Sequence, residues 1–196
     1  YFGAYNRNKR SISVDLKSEE GLKFAKELVC ASDVLIENFG AGVLDRLGLG
    51  YDVMQKINPN LVYCALKGFL SGPYEKRAAL DEVVQMMGGL AYMTGPEGNP
   101  MRAGASVNDV MGGLFGVIAI QAALLERHQT GKGTFVRSGL FESNMFLVAQ
   151  HMVQYRQTGI AAAPMPERVS AWAVYDVFAT ADGKKIFVGV VSDKQW

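Results

Sequence analysis

One long apolar segment constrains the fold of this chain more than any other feature. Within residues 110–125 the only polar side chain is that of Gln121, and Asp109 and Glu126 flank the segment. The segment is shorter than the ~18 residues expected of a membrane span. Apolar side chains on nearly every side of a helix predict a buried helix, from Val110 to about Gln129, at the centre of a larger fold.

Strand and helix patterns alternate along the rest of the chain. Ser18 offers an N-cap to one predicted helix, whose first turn contains Glu19 and Glu20. Strands separated by helices predict parallel pairing and an α/β layer architecture. The predicted strands are Ser11–Leu16, Asp33–Ile36 and Leu61–Leu66, and the other predicted helices are Glu19–Ala31, Val43–Leu47, Tyr51–Ile57 and Leu140–Gln157.

The pattern changes after residue 160. The sequence AAAPMP at 161–166 is typical of a linker, and residues 174–191 predict two strands that form a hairpin at Asp182-Gly183. We therefore predict a large α/β domain over residues 1–160 and the start of a smaller β-rich domain over 161–196. Because the chain begins with Tyr rather than Met and stops just after a strand, we expect it to be a segment of a longer polypeptide.

Composition excludes several classes of function. A net charge of +1 argues against nucleic acid or a membrane surface as the main partner. Cys30 and Cys64 are far apart and lack metal-ligand spacing, which favours buried thiols in the reducing cytoplasm. His128 and His151 are the only histidines, so neither a metal site nor His-assisted nucleophilic catalysis is expected.

Three familiar nucleotide and hydrolase motifs are absent. TGKGT at 130–134 follows a helix and lacks the Gly-Lys-Ser/Thr order of a phosphate loop, so its glycines are interpreted as a helix C-terminal turn. No GxGxxG follows a strand, and no GxSxG is present.

Two acids begin apolar segments that contain paired glycines. Asp81 precedes Gly88-Gly89, and Asp109 precedes Gly112-Gly113. Glycine destabilises a helix by roughly 1 kcal/mol, so something must approach the backbone there, either a ligand or a tightly packed helix. For Asp109 the residues alone leave open an N-cap or first-turn acid and a functional carboxylate.

Five blocks of the sequence resemble successive parts of one family, the class III CoA-transferases, which includes formyl-CoA transferase and carnitine CoA-transferase. These blocks are NRNKRSISVDLKSEEG (6–21), SDVLIENFGAGVLDRLGLGY (32–51), LDEVVQMMGGLAYMTGPEG (80–98), RAGASVNDVMGGLFGVIAIQAALLERHQTGKG (102–133) and YDVFATADGKKIFVGV (175–190). The resemblance implies a Rossmann-like large domain, chains about twice this long with a further N-terminal strand, and an interlocked homodimer.

The resemblance also implies roles for individual residues. The position of Asp109 is that of the catalytic nucleophile, which would carry CoA from an acyl-CoA to a carboxylic acid through a covalent aspartyl intermediate. CoA is then a substrate, and neither a tightly bound cofactor nor a metal is expected. The positions implied to contact CoA are Val14, Lys17, Asn38, Phe39, Gly40, Arg46 and Asp81, with Arg46 directed toward phosphate.

The chain departs from formyl-CoA transferase just before Asp81. The lysine and tyrosine of that enzyme are replaced by Ala78 and Leu80, with Arg77 or Lys76 as a nearby substitute for the cation. The loop also differs in length, which predicts an acyl group other than formyl or oxalyl. Arg102, seven residues before Asp109, is a candidate to bind a second carboxylate of the substrate; the alternatives are a surface loop charge and a partner of the CoA phosphate. Two alternatives stay open: a racemase, although the related racemases have histidine where Leu80 stands, and a CoA-binding protein without turnover.

Overall fold

The computed structural model describes residues 2–196, which form an α/β arrangement of helices around a parallel sheet. In chain order its elements are α1 (Phe2–Tyr5), α2 (Glu19–Cys30), β1 (Val34–Glu37), α3 (Val43–Arg46), α4 (Tyr51–Ile57), β2 (Val62–Lys67), α5 (Asp81–Met87), α6 (Leu90–Thr94), α7 (Val107–Thr130), β3 (Phe135–Gly139), α8 (Leu140–Thr158), a 3-10 turn (Met165–Glu167), β4 (Val174–Ala179) and β5 (Lys185–Val190).

The three-stranded sheet has the order β1-β2-β3, and both pairs are parallel, as the alternation of strands and helices predicted. The sequence analysis did not predict β3, whose short segment FVRSG lacks a clear alternation. Its strand conformation follows from pairing with β2, with Cys64 opposite Val136.

The predicted strand at Ser11–Leu16 is wrong, since residues 11–15 form no strand. Ile12, Val14 and Leu16 instead line one apolar groove beside β1. Their alternation therefore places all three on the groove side of the segment, where Val14 and Leu16 are half-buried and Ile12 stays exposed, and does not reflect pairing in a sheet.

Strand β2 is covered on both faces, which explains its unbroken apolar sequence. Tyr63 and Ala65 face a core formed with Met54 and other residues of α2, α3 and α4. Val62 and Cys64 face the opposite core, to which α7 contributes Ile120 and Ala123. The alternating side chains of one strand thus join two helical layers.

Helix α7 lies against β2, β3 and α8, so its predicted central position is confirmed, but it is not buried on all sides. Leu114, Val117, Ile118 and Leu125 are between 49% and 71% exposed. In the described part of the chain α7 is also the one helix long and apolar enough to cross a membrane by length and composition, a test that core helices of globular proteins also pass.

The paired glycines have different surroundings. A Cβ on Gly88 would lie 2.1 Å from Asn144 Oδ1, and one on Gly112 would lie 2.9 Å from Leu140 Cδ2, so both residues permit close helix packing. Gly89 has a φ of +85°, which glycine adopts without strain. A Cβ on Gly113 would meet nothing within 4 Å. Tight packing therefore explains two of the four glycines.

The C-terminal segment forms the predicted hairpin, with β4 and β5 antiparallel and Gly183 in the connecting turn at a φ of +78°. The proposed domain division at residue 161 stays a prediction. Both cysteines are free thiols, but only Cys64 is buried; Cys30 is exposed at the end of α2, so the predicted burial is wrong for Cys30.

Candidate active site

A cavity of about 660 Å³ opens beside the carboxyl ends of the sheet strands. Ligands of open α/β sheets commonly bind at this edge, because the loops that follow parallel strands meet there. Asp109 lines the cavity at the start of α7, and Asn38 lines it from the loop after β1. The remaining lining residues come from the end of β2, the start of α5, the first turns of α7 and the β3–α8 junction: Leu66, Lys67, Gly68, Ala79, Leu80, Asp81, Glu82, Ser106, Gly112, Gly113, Ser138 and Leu140.

Asp109 is the third residue of α7 and is not its N-cap, which is Ser106. Partial burial raises the pKa of the Asp109 carboxyl above its usual range, and the negative charges of Asp81 and Glu82 raise it further. A carboxylate whose charged form is disfavoured is a stronger base than an ordinary one, which suits a nucleophile.

The carboxylate of Asp81 lies behind Asp109 and is buried. Its Oδ1 accepts hydrogen bonds from the backbone N–H groups of Asn108, at 2.7 Å, and Asp109, at 3.2 Å. Its Oδ2 accepts one from the Gln85 side chain. Asp81, the first residue of α5, therefore provides the acceptor for two backbone N–H groups in the first turn of α7.

The ion pair of Glu37 and Lys67 borders this cavity and two others: Lys67 lines this one, both residues line a second, and Glu37 lines the apolar groove beside β1. Lys67 Nζ lies 2.6 Å from Glu37 Oε1 and donates to the Phe39 carbonyl at 2.7 Å. Glu37 Oε2 also accepts the Phe39 N–H at 2.9 Å. This pair fixes the loop that carries Asn38 and Phe39.

The sequence analysis missed Glu37 and Lys67. Each is the last residue of a strand, and each strand is otherwise apolar. Opposite charges at the carboxyl ends of adjacent parallel strands were the signal that could have identified them.

The predicted CoA contacts are distributed over several surfaces. Val14 and Phe39 line the apolar groove of about 290 Å³ beside β1, and Gly40 lines a third cavity of about 310 Å³ next to the ion pair. Lys17 and Arg46 are exposed on the protein surface. The described structure thus brings Asn38, Asp81 and Asp109 together in one cavity, and CoA binding by all seven positions stays a prediction.

Arg102 lies at the edge of this site. Its Nη1 forms an ion pair with Glu82, which lines the cavity, and its Nε donates to the Ala103 carbonyl at 3.3 Å. In the described residues Nη2 has no recorded partner. Arg102 is therefore paired with a residue of the cavity wall but does not line the cavity itself.

Within residues 2–196 no cluster of three or more His, Cys, Asp or Glu side chains has the arrangement of a metal site. Arg77, the cation nearest in sequence to the missing lysine, stacks on Tyr74 with 4.5 Å between its Cζ and the ring centroid. It does not line the cavity. The walls of the cavity are therefore glycines, apolar side chains, hydroxyls, carboxylates and the amide of Asn38, with Lys67 as the lining cation.

Comparison with known proteins identifies the family of the chain. The model of CoA-transferase family III matches residues 1–196. The chain belongs to this family. It is 37% identical to the succinyl-CoA:glutarate CoA-transferase of Mus musculus over 198 aligned residues, which is 100% of this chain and 45% of that protein.

Two further relatives have comparable similarity. The acetyl-CoA:oxalate CoA-transferase of Acetobacter aceti is 39% identical over 185 residues, covering 93% of this chain and 48% of that protein. The crystal structure of a CAIB/BAIF family protein from Brucella suis superposes with a TM-score of 0.85 at 40% identity, covering 91% of this chain and 48% of that one. The chain thus spans about half the length of the relatives it matches.

Replacing Asp109 with Asn should raise the melting temperature at about pH 7 and leave it unchanged at about pH 3. The raised pKa of Asp109 means that folding favours its neutral form. Wild type therefore loses stability as the pH rises from the ordinary aspartate pKa of ~3.9 through the higher folded value, whereas Asn is neutral throughout. Thermal unfolding of both proteins across this range tests the expectation, and an equal difference at both ends would contradict it.

Proposed function

We propose that the protein transfers CoA from an acyl-CoA to a carboxylic acid, with Asp109 as the nucleophile. The observation that supports this is the position of the Asp109 carboxyl at the cavity wall, where its charged form is disfavoured. The family membership supports the same reaction class.

The chemistry explains why the nucleophile is a carboxylate. The ionised form of a carboxylate is itself a nucleophile and needs no general base, which fits a cavity that no described histidine lines. Its oxygen attacks the thioester carbonyl, the C–S bond breaks, and a mixed anhydride and CoA thiolate result. The thiolate then attacks the aspartyl carbonyl and releases the first acid, which leaves an aspartyl-CoA thioester for the second acid. Both intermediates retain the energy of the thioester.

Hydroxylamine should convert Asp109 to a hydroxamate when the intact polypeptide is incubated with an acyl-CoA. Peptide mass spectrometry identifies the modified residue, and Asp109→Ala should lose transfer activity by more than about 1,000-fold. Asp193→Asn, at an exposed aspartate that lines none of the three cavities, is the matched control and should behave like wild type. Near-normal transfer by Asp109→Ala would refute the mechanism. Tight CoA binding without any modification or exchange would instead favour a protein without turnover.

We further propose that the substrates are dicarboxylic acids. The names of the mouse and Acetobacter relatives pair CoA donors with glutarate and oxalate, both dicarboxylates. In this chain Arg102 forms an ion pair with Glu82, which lines the cavity. Its Nη2 has no hydrogen-bond partner among the described residues. A guanidinium in that position suits a second carboxylate, because it forms charge-assisted hydrogen bonds with carboxylate oxygens.

Succinate should be used in preference to butyrate, which has the same length and one carboxylate fewer. Arg102→Ala should reduce kcat/KM for succinate by about tenfold or more, since a charge-assisted hydrogen bond is lost, and should leave butyrate unaffected. Arg156→Ala, an exposed arginine of α8, is the matched control. Equal use of succinate and butyrate by wild type would refute the proposal, provided that CoA affinity is unchanged in the variants.

We also propose that the intact protein is an interlocked homodimer. The exposed apolar side chains of α7, among them Leu114 and Ile118, support extensive contacts with further protein, since soluble proteins rarely leave such surfaces uncovered. Light scattering of the intact protein should give a dimer that persists on dilution, and a monomer would contradict this.

No observation favours the racemase alternative. Leu80, which stands where the related racemases have their histidine, is 69% exposed and lines the cavity. Its side chain cannot accept a proton. We therefore do not propose proton abstraction at this site.

A further inference from the structure

The backbone N–H groups in the first turn of α7 have an unusual set of hydrogen-bond acceptors. A helix commonly caps itself with the side chain of its N-cap residue, but Ser106 makes no such hydrogen bond. The N–H of Val107 reaches the Ala105 carbonyl at 2.8 Å, and that of Val110 reaches the Ser106 carbonyl at 3.1 Å. The two N–H groups between them, of Asn108 and Asp109, donate to Asp81.

The side chain of Asp81 is held in one orientation by its neighbours. It is 3% exposed, and Gln85, one turn later in α5, is fully buried. The Gln85 amide donates to Asp81 Oδ2 while its oxygen accepts the Ala103 N–H at 2.7 Å. Asn108 is bound on its other side by the Asn144 amide, at 3.3 Å. The cap therefore belongs to a buried network, and the orientation of its carboxylate is defined.

This arrangement has a consequence for the reaction. The positive end of a helix beside a reacting carbonyl commonly stabilises the oxyanion, and the start of α7 could have had that role. Its first N–H groups are already engaged, and the group that engages two of them is a buried negative charge. The charge of Asp81 therefore opposes the negative charge of Asp109, whose backbone nitrogen is 3.2 Å from Asp81 Oδ1.

That repulsion ends when Asp109 is acylated. As its oxygen bonds to the acyl carbon and the C–S bond breaks, the negative charge leaves with CoA thiolate, and the aspartyl side chain becomes neutral. A fixed negative charge behind the nucleophile raises the free energy of the charged reactant more than that of the neutral product. The pKa of Asp109, raised in part by Asp81, is consistent with this effect.

We infer that Asp81 is a positioning residue that caps the nucleophile's helix from outside and increases the reactivity of Asp109 through its buried charge. The inference rests on the proposed role of Asp109. It differs from the CoA contact that the family resemblance implies for Asp81, since both of its carboxylate oxygens are engaged by protein donors.

Two variants separate charge from hydrogen bonding. In Asp81→Asn the amide oxygen can still accept from Asn108 and Asp109, but the amide nitrogen faces the donor group of Gln85. In the double variant Asp81→Asn with Gln85→Glu, the new carboxylate accepts from both the Asn amide and the Ala103 N–H. The double variant keeps the net charge and every one of these hydrogen bonds, and it moves the negative charge about 5 Å along α5. It therefore serves as a folding-competent test if the single variant is unstable.

The experiment measures the rate of hydroxylamine-trappable acylation in the intact polypeptide against pH. In both variants the plateau rate of acylation should fall by about tenfold or more. The acid limb of the pH profile should shift to lower pH by about one unit, because a like charge near Asp109 has been removed or moved away. CoA affinity should stay within about twofold of wild type. Asp193→Asn should match wild type in all three measurements.

Several outcomes would overturn the inference. An unchanged acid limb in both variants would mean that the charge of Asp81 does not act on Asp109. Wild-type rate and pH profile in the double variant would mean that hydrogen bonding alone matters. A large loss of CoA affinity with an unchanged limb would assign Asp81 to CoA binding instead. If wild type itself forms no trappable species, the proposed function fails, whereas normal trapping in both wild type and the variants refutes only the role of Asp81.

Discussion

The hydrogen bonds between the Asp81 carboxylate and the first turn of α7 hold the candidate site together. A buried carboxylate without partners and a buried helix start without acceptors would each cost several kcal/mol. In this protein each satisfies the other, across 27 residues of sequence. The position of Asp109 relative to α5, and hence the shape of the cavity between them, follows from this contact.

The sheet supplies the rest of the site. Because β2 is buried on both faces, its polar residues are confined to its end, where Lys67 meets Glu37 at the end of β1. A buried carboxylate is tolerated there because it gains an ammonium partner and a backbone N–H. The same pair fixes the loop of Asn38 and Phe39, so the loop that borders two cavities depends on strand pairing as well as on its own sequence.

The sequence predicted what local chemistry determines. Ser18 accepts the Gly21 N–H as expected of an N-cap, and Gly131 ends α7 in the left-handed conformation expected of its TGKGT segment. It did not predict β3, whose strand conformation depends on its neighbour β2, and it predicted a strand at Ser11–Leu16, where alternation reflects a groove. Asp109 was found through family resemblance. The partners that act on it come from distant parts of the chain, so no local pattern reveals them.

The glycines of α7 show how the helix combines packing with function. Gly112 and Gly116 face Leu140 and Leu66, so the missing side chains allow close contact with α8 and β2. Gly113 lies one turn after Asp109 on the same side of the helix and lines the cavity, with open space where a Cβ would be. Close packing does not explain glycine at this position, whose helix propensity is poor. Tight packing therefore accounts for Gly112, while the approach of a ligand to the backbone at Gly113 stays a prediction.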